Sequence, residues 1–289
     1  MKLFYYQENN FGDQLNNWLW DELIPGVLDN DESSAFIGIG TLLNDRLSQR
    51  TNNARFRVVF GTGVGYGQGT LQLDDSYKIY CVRGPLSAKT LGIDSKFALT
   101  DGAILIRKIY NFDNSKKSYK YSYIPHHKTA GEGWRLVCER LGFGYIDPHW
   151  SREKVLSCIS QSEVILAEAM HGAIIADAFR IPWIPVISHS TILLSKWQDW
   201  CQSIDVEYKP SYIDRLHHPR QKIDILSPLR LARDWFRQKE SASQLLNITK
   251  TVHPILSSDQ KVESLTQEMY SRLQQFKQDW EQGVLSEKL

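Results

Sequence analysis

Residues 163–183, EVILAEAMHGAIIADAFRIPW, leave this chain few folds to choose from. Val164, Ile165, Leu166 and Ala167 form an apolar run too short for a helix and without alternation, the pattern of a strand buried on both faces. A short polar turn carries Glu168 and His171. A strongly apolar helix follows over 173–179, ended by Pro182, and 184–187 reads as the next strand. Strand, helix and strand together make a βαβ unit. It sets an acid and an imidazole at the carboxyl end of a parallel strand, where open α/β sheets place their ligands, next to a helix amino end that attracts anions. Simple capping of the helix by Glu168 and His171 fits the same pattern.

A chain of 289 residues is long for one core and predicts two packed domains. Its net charge of +1 argues against a dedicated nucleic-acid binder, which concentrates basic residues on one face. Any anion must therefore be held by a few placed groups. Cys81, Cys138, Cys158 and Cys201 are widely spaced, with no CxxC pair or His/Cys cluster. They read as reduced, mostly buried thiols and not as metal ligands. The amino terminus lacks a signal-peptide core and no apolar run approaches membrane-spanning length, so the expected location is cytoplasmic.

Strands are expected over 3–6, 35–40, 57–60, 78–82 and 97–101, with helices over 14–23 and 87–91. The polar stretch 108–121 reads as an interdomain linker. A second α/β half then opens with a strand over 121–124, a helix over 132–141, a strand over 144–146 and a helix over 152–161. Beyond the βαβ unit come a helix over 228–237 and a long amphipathic helix over 258–280, with Val262, Leu265, Met269, Leu273 and Phe276 at spacings of three and four. The domains are thus expected at 1–115 and 116–289, the second including the terminal helices.

Glycine-bearing turns punctuate the first half. In Asn9-Asn10-Phe11-Gly12-Asp13, Gly12 permits close backbone approach, and Asp13 either caps the helix or touches a ligand hydroxyl. Gly61-Thr62-Gly63-Val64-Gly65 lacks the full dinucleotide fingerprint, so no nicotinamide cofactor is inferred. In Arg83-Gly84-Pro85-Leu86-Ser87 the guanidinium follows an apolar strand. It either forks onto a carboxylate or phosphate, or makes an ion pair tying two turns together.

Taken in order, NFGD at 10–13, GTG at 61–63, RGP-x-S at 83–87, DGA at 101–103, PH at 125–126 and AEAMHGAIIADAFRIPW at 167–183 resemble the polysaccharide pyruvyl transferase family. The resemblance runs from about residue 3 to residue 200. It implies two Rossmann-like domains facing a cleft, similar to the GT-B architecture. It also implies transfer of the enolpyruvyl group of phosphoenolpyruvate onto two sugar hydroxyls, leaving a cyclic pyruvate ketal and phosphate. The implied acceptor is a lipid-linked or nucleotide-linked glycan or exopolysaccharide intermediate. That leaves peripheral membrane association open, and no metal or cofactor is called for beyond the donor substrate itself.

By that resemblance His171, Asp13 and Glu168 are the catalytic candidates, with His171 serving as general acid or base. Arg83, Lys196, His126, His127 and Gly172 fall on the donor side, and Asn10, Gly12, Asn16, Gly61 and Gly63 on the acceptor side. Many relatives carry arginine two residues before the histidine, where this chain has Ala169. A second cation must then come from elsewhere, with Lys196 first, then His127, Lys128 and His189. Glu168 is expected to orient His171 or face the acceptor. Two other readings stay open: a GT-B glycosyltransferase using a nucleotide sugar, and a catalytically degenerate assembly protein of the same fold.

Overall fold

In the computed structural model of the chain, residues 1–111, 116–190, 192–216 and 227–285 are described, with side chains for all of these but 227–232. The fold is α/β with two parallel sheets. Its elements in chain order are β1 (Lys2–Phe4), α1 (Phe11–Leu23), β2 (Ser34–Ile37), α2 (Leu47–Arg50), β3 (Phe56–Thr62), β4 (Tyr77–Val82) and α3 (Pro85–Leu91). They continue with β5 (Tyr119–Ile124), α4 (Glu132–Leu141), β6 (Gly144–Tyr145), α5 (Arg152–Ser160), β7 (Ser162–Ala167), α6 (Met170–Ala178) and β8 (Trp183–Ile187). The last are α7 (Leu194–Ser203), β9 (Ser211–Tyr212), α8 (Ser227–Thr251) and α9 (Asp259–Glu281).

Two compact units share this chain: Met1–Asn111 with Leu193–Tyr208 and Ser257–Leu289, and Phe112–Ile192 with Lys209–Leu256. The sequence places one boundary near residue 115; the chain instead returns twice to its first unit. The returns are held by burial. In α7, Trp197 and Trp200 are buried, and in α9 Phe276 packs 5.3 Å from Phe36 and 5.5 Å from Tyr80, ring centre to ring centre. Part of the expected linker, 112–115, lies outside the described residues.

The first unit's sheet runs β1-β2-β3-β4, entirely parallel, with FRVVFGT of β3 buried throughout. Trp20 of α1 meets Phe36 and Phe60 edge-on at 4.9 and 5.4 Å, covering the face that α9 also covers. No described strand of this sheet reverses the order. The expected strand over 97–101 reduces to one bridge, Val82 to Ala98, because Ser95–Phe97 forms a 3₁₀ turn and Asp101 caps the next one, Gly102–Lys108.

The second sheet has the order β6-β5-β7-β8-β9, again parallel. Counted from its own first strand this is 2-1-3-4-5, the doubly wound order whose switch point falls between the first and third strands. Here those strands are β5 and β7. Tyr123, Leu166, Ile184 and Val186 of the strands, Trp134 and Val137 of α4, and Leu245 and Ile248 of α8 make one core. The sequence predicts a helix over 228–237 and then a looser stretch up to the terminal helix, but α8 runs on to Thr251. No Gly or Pro interrupts 229–251, and Pro228 sits in the first turn, where it is tolerated.

All four cysteines are free thiols; Cys81, Cys138 and Cys201 are buried and Cys158 is half-buried. Burial pushes the Cys81 and Cys138 thiols up to about 12 and raises Cys158 as well. Because the thiolate is the reactive species, an aromatic disulfide reagent at mildly alkaline pH should label the native chain slowly, Cys158 first. All four thiols should titrate at once in denaturant. Fast native labelling of Cys81 or Cys138 would contradict the packing described here.

Candidate active site

The first unit's glycine motifs form one buried assembly. The Arg83 guanidinium is fully buried: its Nε lies 3.2 Å from Asp199 Oδ2, and its Nη1 donates to Thr41 Oγ1 at 2.9 Å and the Gly40 carbonyl at 3.2 Å. Ser87 joins them, its hydroxyl 2.5 Å from Asp199 Oδ2 and its N–H donating to Oδ1 at 3.0 Å. A Cβ on Gly63 would stand 2.2 Å from Arg83 Nη2, and one on Gly84 would stand 2.1 Å from the Asp199 carbonyl oxygen. Gly61, at φ +68°, would bring a Cβ within 2.6 Å of the Gly102 Cα. The GTG, RGP-x-S and DGA turns are thus short of side chains because they press on one another and on a buried ion pair. Of the two uses the sequence left to Arg83, the tie between turns is the one this geometry displays. Asp199 was missed; an acid between Trp197 and Trp200 in a helix of buried aromatics was the available signal.

Asn16, nominated for the acceptor side, is buried and engaged on every side. Its Oδ1 accepts from the Ile39 N–H at 2.7 Å and from Trp20 Nε1 at 3.1 Å, and its Nδ2 donates to the carbonyls of Ile39 at 3.1 Å and Asp13 at 3.3 Å. It pins the turn after β2 to α1. Asn10 is the N-cap of α1, accepting from the Asp13 N–H at 3.1 Å, while its Nδ2 donates to Asp13 Oδ2 at 2.5 Å. Gly12 is buried in the first turn of that helix, whereas Asp13 stays part-exposed. Lys196 donates to the Tyr66 hydroxyl at 3.0 Å, within the same unit.

The second unit gathers the imidazoles. At the switch point, β5 ends next to β7 in register, Ile124 against Ala167. From the turn after β5 come His126 and His127, their ring centres 4.2 Å apart, and from the turn after β8 comes His189, 5.1 Å from His126. His171 lies on the first turn of α6, which begins three residues earlier than the sequence suggests. Gly172 allows that turn to close on β5, since a Cβ there would meet Ile124 Cγ2 at 2.7 Å. The α6 N-cap, Ala169, makes no side-chain cap; its own N–H donates to the Ile124 carbonyl at 3.3 Å and the Gly172 N–H closes on the Ala169 carbonyl at 2.9 Å.

Glu168 holds this arrangement together. Its side chain is buried, 1% of the residue being exposed. Oε2 accepts from the His126 N–H at 2.9 Å, Thr129 Oγ1 at 3.0 Å and the Tyr123 hydroxyl at 3.2 Å, and Oε1 accepts from the Ser188 N–H at 2.6 Å. The carboxylate therefore clasps the turns after β5 and β8, the two that carry His126, His127 and His189. Expected among the reacting groups, Glu168 has the partners of a positioning residue. Its negative charge and burial together also drive the Tyr123 hydroxyl well above the ordinary phenol range, burial being the larger cause. Tyr123, Thr129 and Ser188 were not foreseen, and nothing in their local sequence marks them.

A cavity of about 250 Å³ lies elsewhere, beside β1, lined by Lys2, Tyr5, Glu32, Arg50 and Asn53 among others. It includes no residue nominated from the sequence. Among the described residues no three His, Cys, Asp or Glu side chains are grouped to hold a metal ion, and no helix is long and apolar enough to cross a membrane.

The switch-point histidines and the preceding turns fall inside a single stretch, residues 4–191, that matches the polysaccharide pyruvyl transferase family. The chain belongs to that family. It is also 41% identical over 214 residues to the succinoglycan biosynthesis protein ExoV of Rhizobium meliloti (strain 1021), a match covering 73% of this chain and 67% of that protein. As a member of the pyruvyl transferases the chain is a transferase enzyme, and its family's activity is directed to polysaccharide. Within the family stretch, the first unit's motifs are occupied with one another, while the second unit's motif opens a helix amino end at a switch point.

Proposed function

We propose that this enzyme moves the enolpyruvyl group of phosphoenolpyruvate onto two hydroxyls of one sugar in an exopolysaccharide intermediate, forming a cyclic pyruvate ketal and releasing phosphate. Support comes from the family and from a relative whose name places it in succinoglycan biosynthesis. The observation that carries the reading is His171 on the first turn of α6 at the switch point, with His126 and His127 on the turn after the neighbouring β5 and His189 on the turn after β8.

The chemistry asks for little else. One sugar hydroxyl adds to the substituted carbon of the enol while a proton goes to the methylene carbon, which becomes the methyl group. A second hydroxyl then displaces phosphate from that same carbon and gives up its own proton. Each step needs one proton moved at a defined atom, which an imidazole does near neutral pH. The donor's carboxylate and phosphate suit the α6 amino end, with the imidazoles and the exposed Lys128 alongside. That set takes the place of the arginine absent at Ala169 and of Arg83, whose guanidinium is committed to Asp199.

The test pairs calorimetric titration of phosphoenolpyruvate with phosphate release in the presence of extracted lipid-linked oligosaccharide. Binding is expected in the native chain. In His171→Ala, phosphate release should fall about a hundredfold with the melting curve unchanged, as expected when a positioned acid–base group is removed. Heat from a uridine diphosphate sugar with none from phosphoenolpyruvate would sink the reading in favour of glycosyl transfer.

A further inference from the structure

Helix α8 is longer than the unit it serves. Ala242, Leu245 and Ile248 are buried in the core of the second unit, at a spacing that keeps them on one stripe. Seven residues before Ala242, two helical turns back on the same stripe, stands Trp235, and there the ring is 47% exposed. Its neighbour Phe236 is 63% exposed, and the two rings meet edge-on at 5.0 Å. Two large aromatic side chains side by side in water are not what a soluble surface ordinarily carries, and such a patch marks a place where something docks.

Cations ring the pair. Arg140 of α4 lies 6.0 Å from the Trp235 ring centre and Lys239 lies 5.4 Å from it. Arg233, half-exposed, sits three residues before Phe236 on the same helix, with Asp234 Oδ1 3.6 Å from its guanidinium. Their surroundings in sequence are biased in the same sense. Residues 215–240 hold seven Arg and Lys against three Asp and Glu, although the whole chain is only +1, so the remainder of the molecule is net negative. An aromatic pair within a basic collar, on a helix lying along a protein surface, is the chemistry of an interfacial anchor: rings enter the headgroup layer and cations pair with lipid phosphates.

We infer that the amino-terminal half of α8, centred on Trp235 and Phe236, docks this enzyme on an anionic lipid surface. Charge complementarity selects that occupant, since Arg140, Arg233 and Lys239 stand around the exposed rings and an anionic headgroup layer supplies their counter-charges. The inference does not depend on the donor or on ketal chemistry, since vesicle binding is read without turnover.

The test is co-sedimentation of the full chain with phosphatidylcholine vesicles, with and without phosphatidylglycerol, at low and high salt. Binding should be at least tenfold tighter to the anionic vesicles and should weaken with salt. Trp235→Ala with Phe236→Ala should lower it at least tenfold without altering the melting curve, as both rings are already exposed. Arg233→Gln and Lys239→Gln should each lower it about fivefold, the equivalent of ~1 kcal/mol per basic residue near an anionic surface. A milder variant, Trp235→Phe, should keep binding but lose a component of tryptophan fluorescence that brominated lipid quenches. Indifference of the native chain to anionic vesicles would overturn the inference, as would undiminished binding by the double alanine variant. So would a concentration-dependent dimer in light scattering that the double variant abolishes, which would make this face a contact between copies.

Discussion

Asp199→Ala will lower the stability of the first unit by about 3–5 kcal/mol, the range seen when one member of a buried ion pair is removed. The loss has named parts. The Arg83 guanidinium remains fully buried without its counter-charge, and the Ser87 hydroxyl and N–H lose their acceptor. Set against a typical total of about 5–15 kcal/mol for a folded domain, the change should be plain as a fall in the urea midpoint followed by circular dichroism. Replacing both partners with apolar residues, Arg83→Met with Asp199→Leu, should recover much of the loss, because an apolar pair needs no desolvation of charge. That recovered protein then decides what else Arg83 does. If it still binds phosphoenolpyruvate, the arginine is a tie between turns. If it is folded and no longer binds, the guanidinium also reaches the donor. An Asp199→Ala midpoint within experimental error of the native one would refute the account of these motifs.

The second large effect belongs to Glu168. Glu168→Ala leaves three donors without an acceptor in a buried place, the N–H groups of His126 and Ser188 and the Tyr123 hydroxyl, while the Thr129 hydroxyl falls back on the His126 carbonyl at 3.0 Å. At about 1–3 kcal/mol for each unmet buried group, with some relaxation, a loss of about 4 kcal/mol is expected. Glu168→Gln is the more discriminating variant. An amide nitrogen in place of Oε2 can be met by hydroxyls that rotate to accept, but not by the His126 N–H, which cannot. A loss of about 1–2 kcal/mol is therefore expected, and the imidazole resonances of His126, His127 and His189 should shift together. A group acting only in proton transfer would behave otherwise, losing turnover while its melting curve and the histidine spectrum stayed native.

The βαβ unit around β7 and α6 was legible because a short apolar run, a polar turn and an apolar helix closed by Pro182 leave one arrangement open. The switch point was not, since it depends on β6 lying on the far side of β5, and strand order is not written in periodicity. A cap at the start of α1 was foreseen but given to Asp13; the structure gives it to Asn10, which accepts from the Asp13 N–H. The Arg83 pair could not be placed, because its partner is 116 residues away in sequence and belongs to a segment that looks as if it should stay with the second half. The partners that hold Glu168 were out of reach of the sequence for a related reason. The four partners of its carboxylate come from two separate segments, residues 123–129 and Ser188, and only the fold brings them together. The helix start misjudged by three residues moved His171 from turn to helix, a small error in length that changes which backbone donors stand beside it.

The interrupted first unit has a consequence for how the protein is made. A ribosome releases residues 1–111 long before it supplies Asp199 or Phe276, so the nascent first sheet waits with Arg83 uncompensated and the face around Phe36 uncovered. The second unit's segments are all in hand by residue 256, and it can close while the first is still waiting. Synthesis order and completion order are thus reversed: the half begun first finishes last. Chains cut short after residue 256 but before the end of α9 would carry a finished second unit and an open first one, a form that chaperones hold and proteases remove.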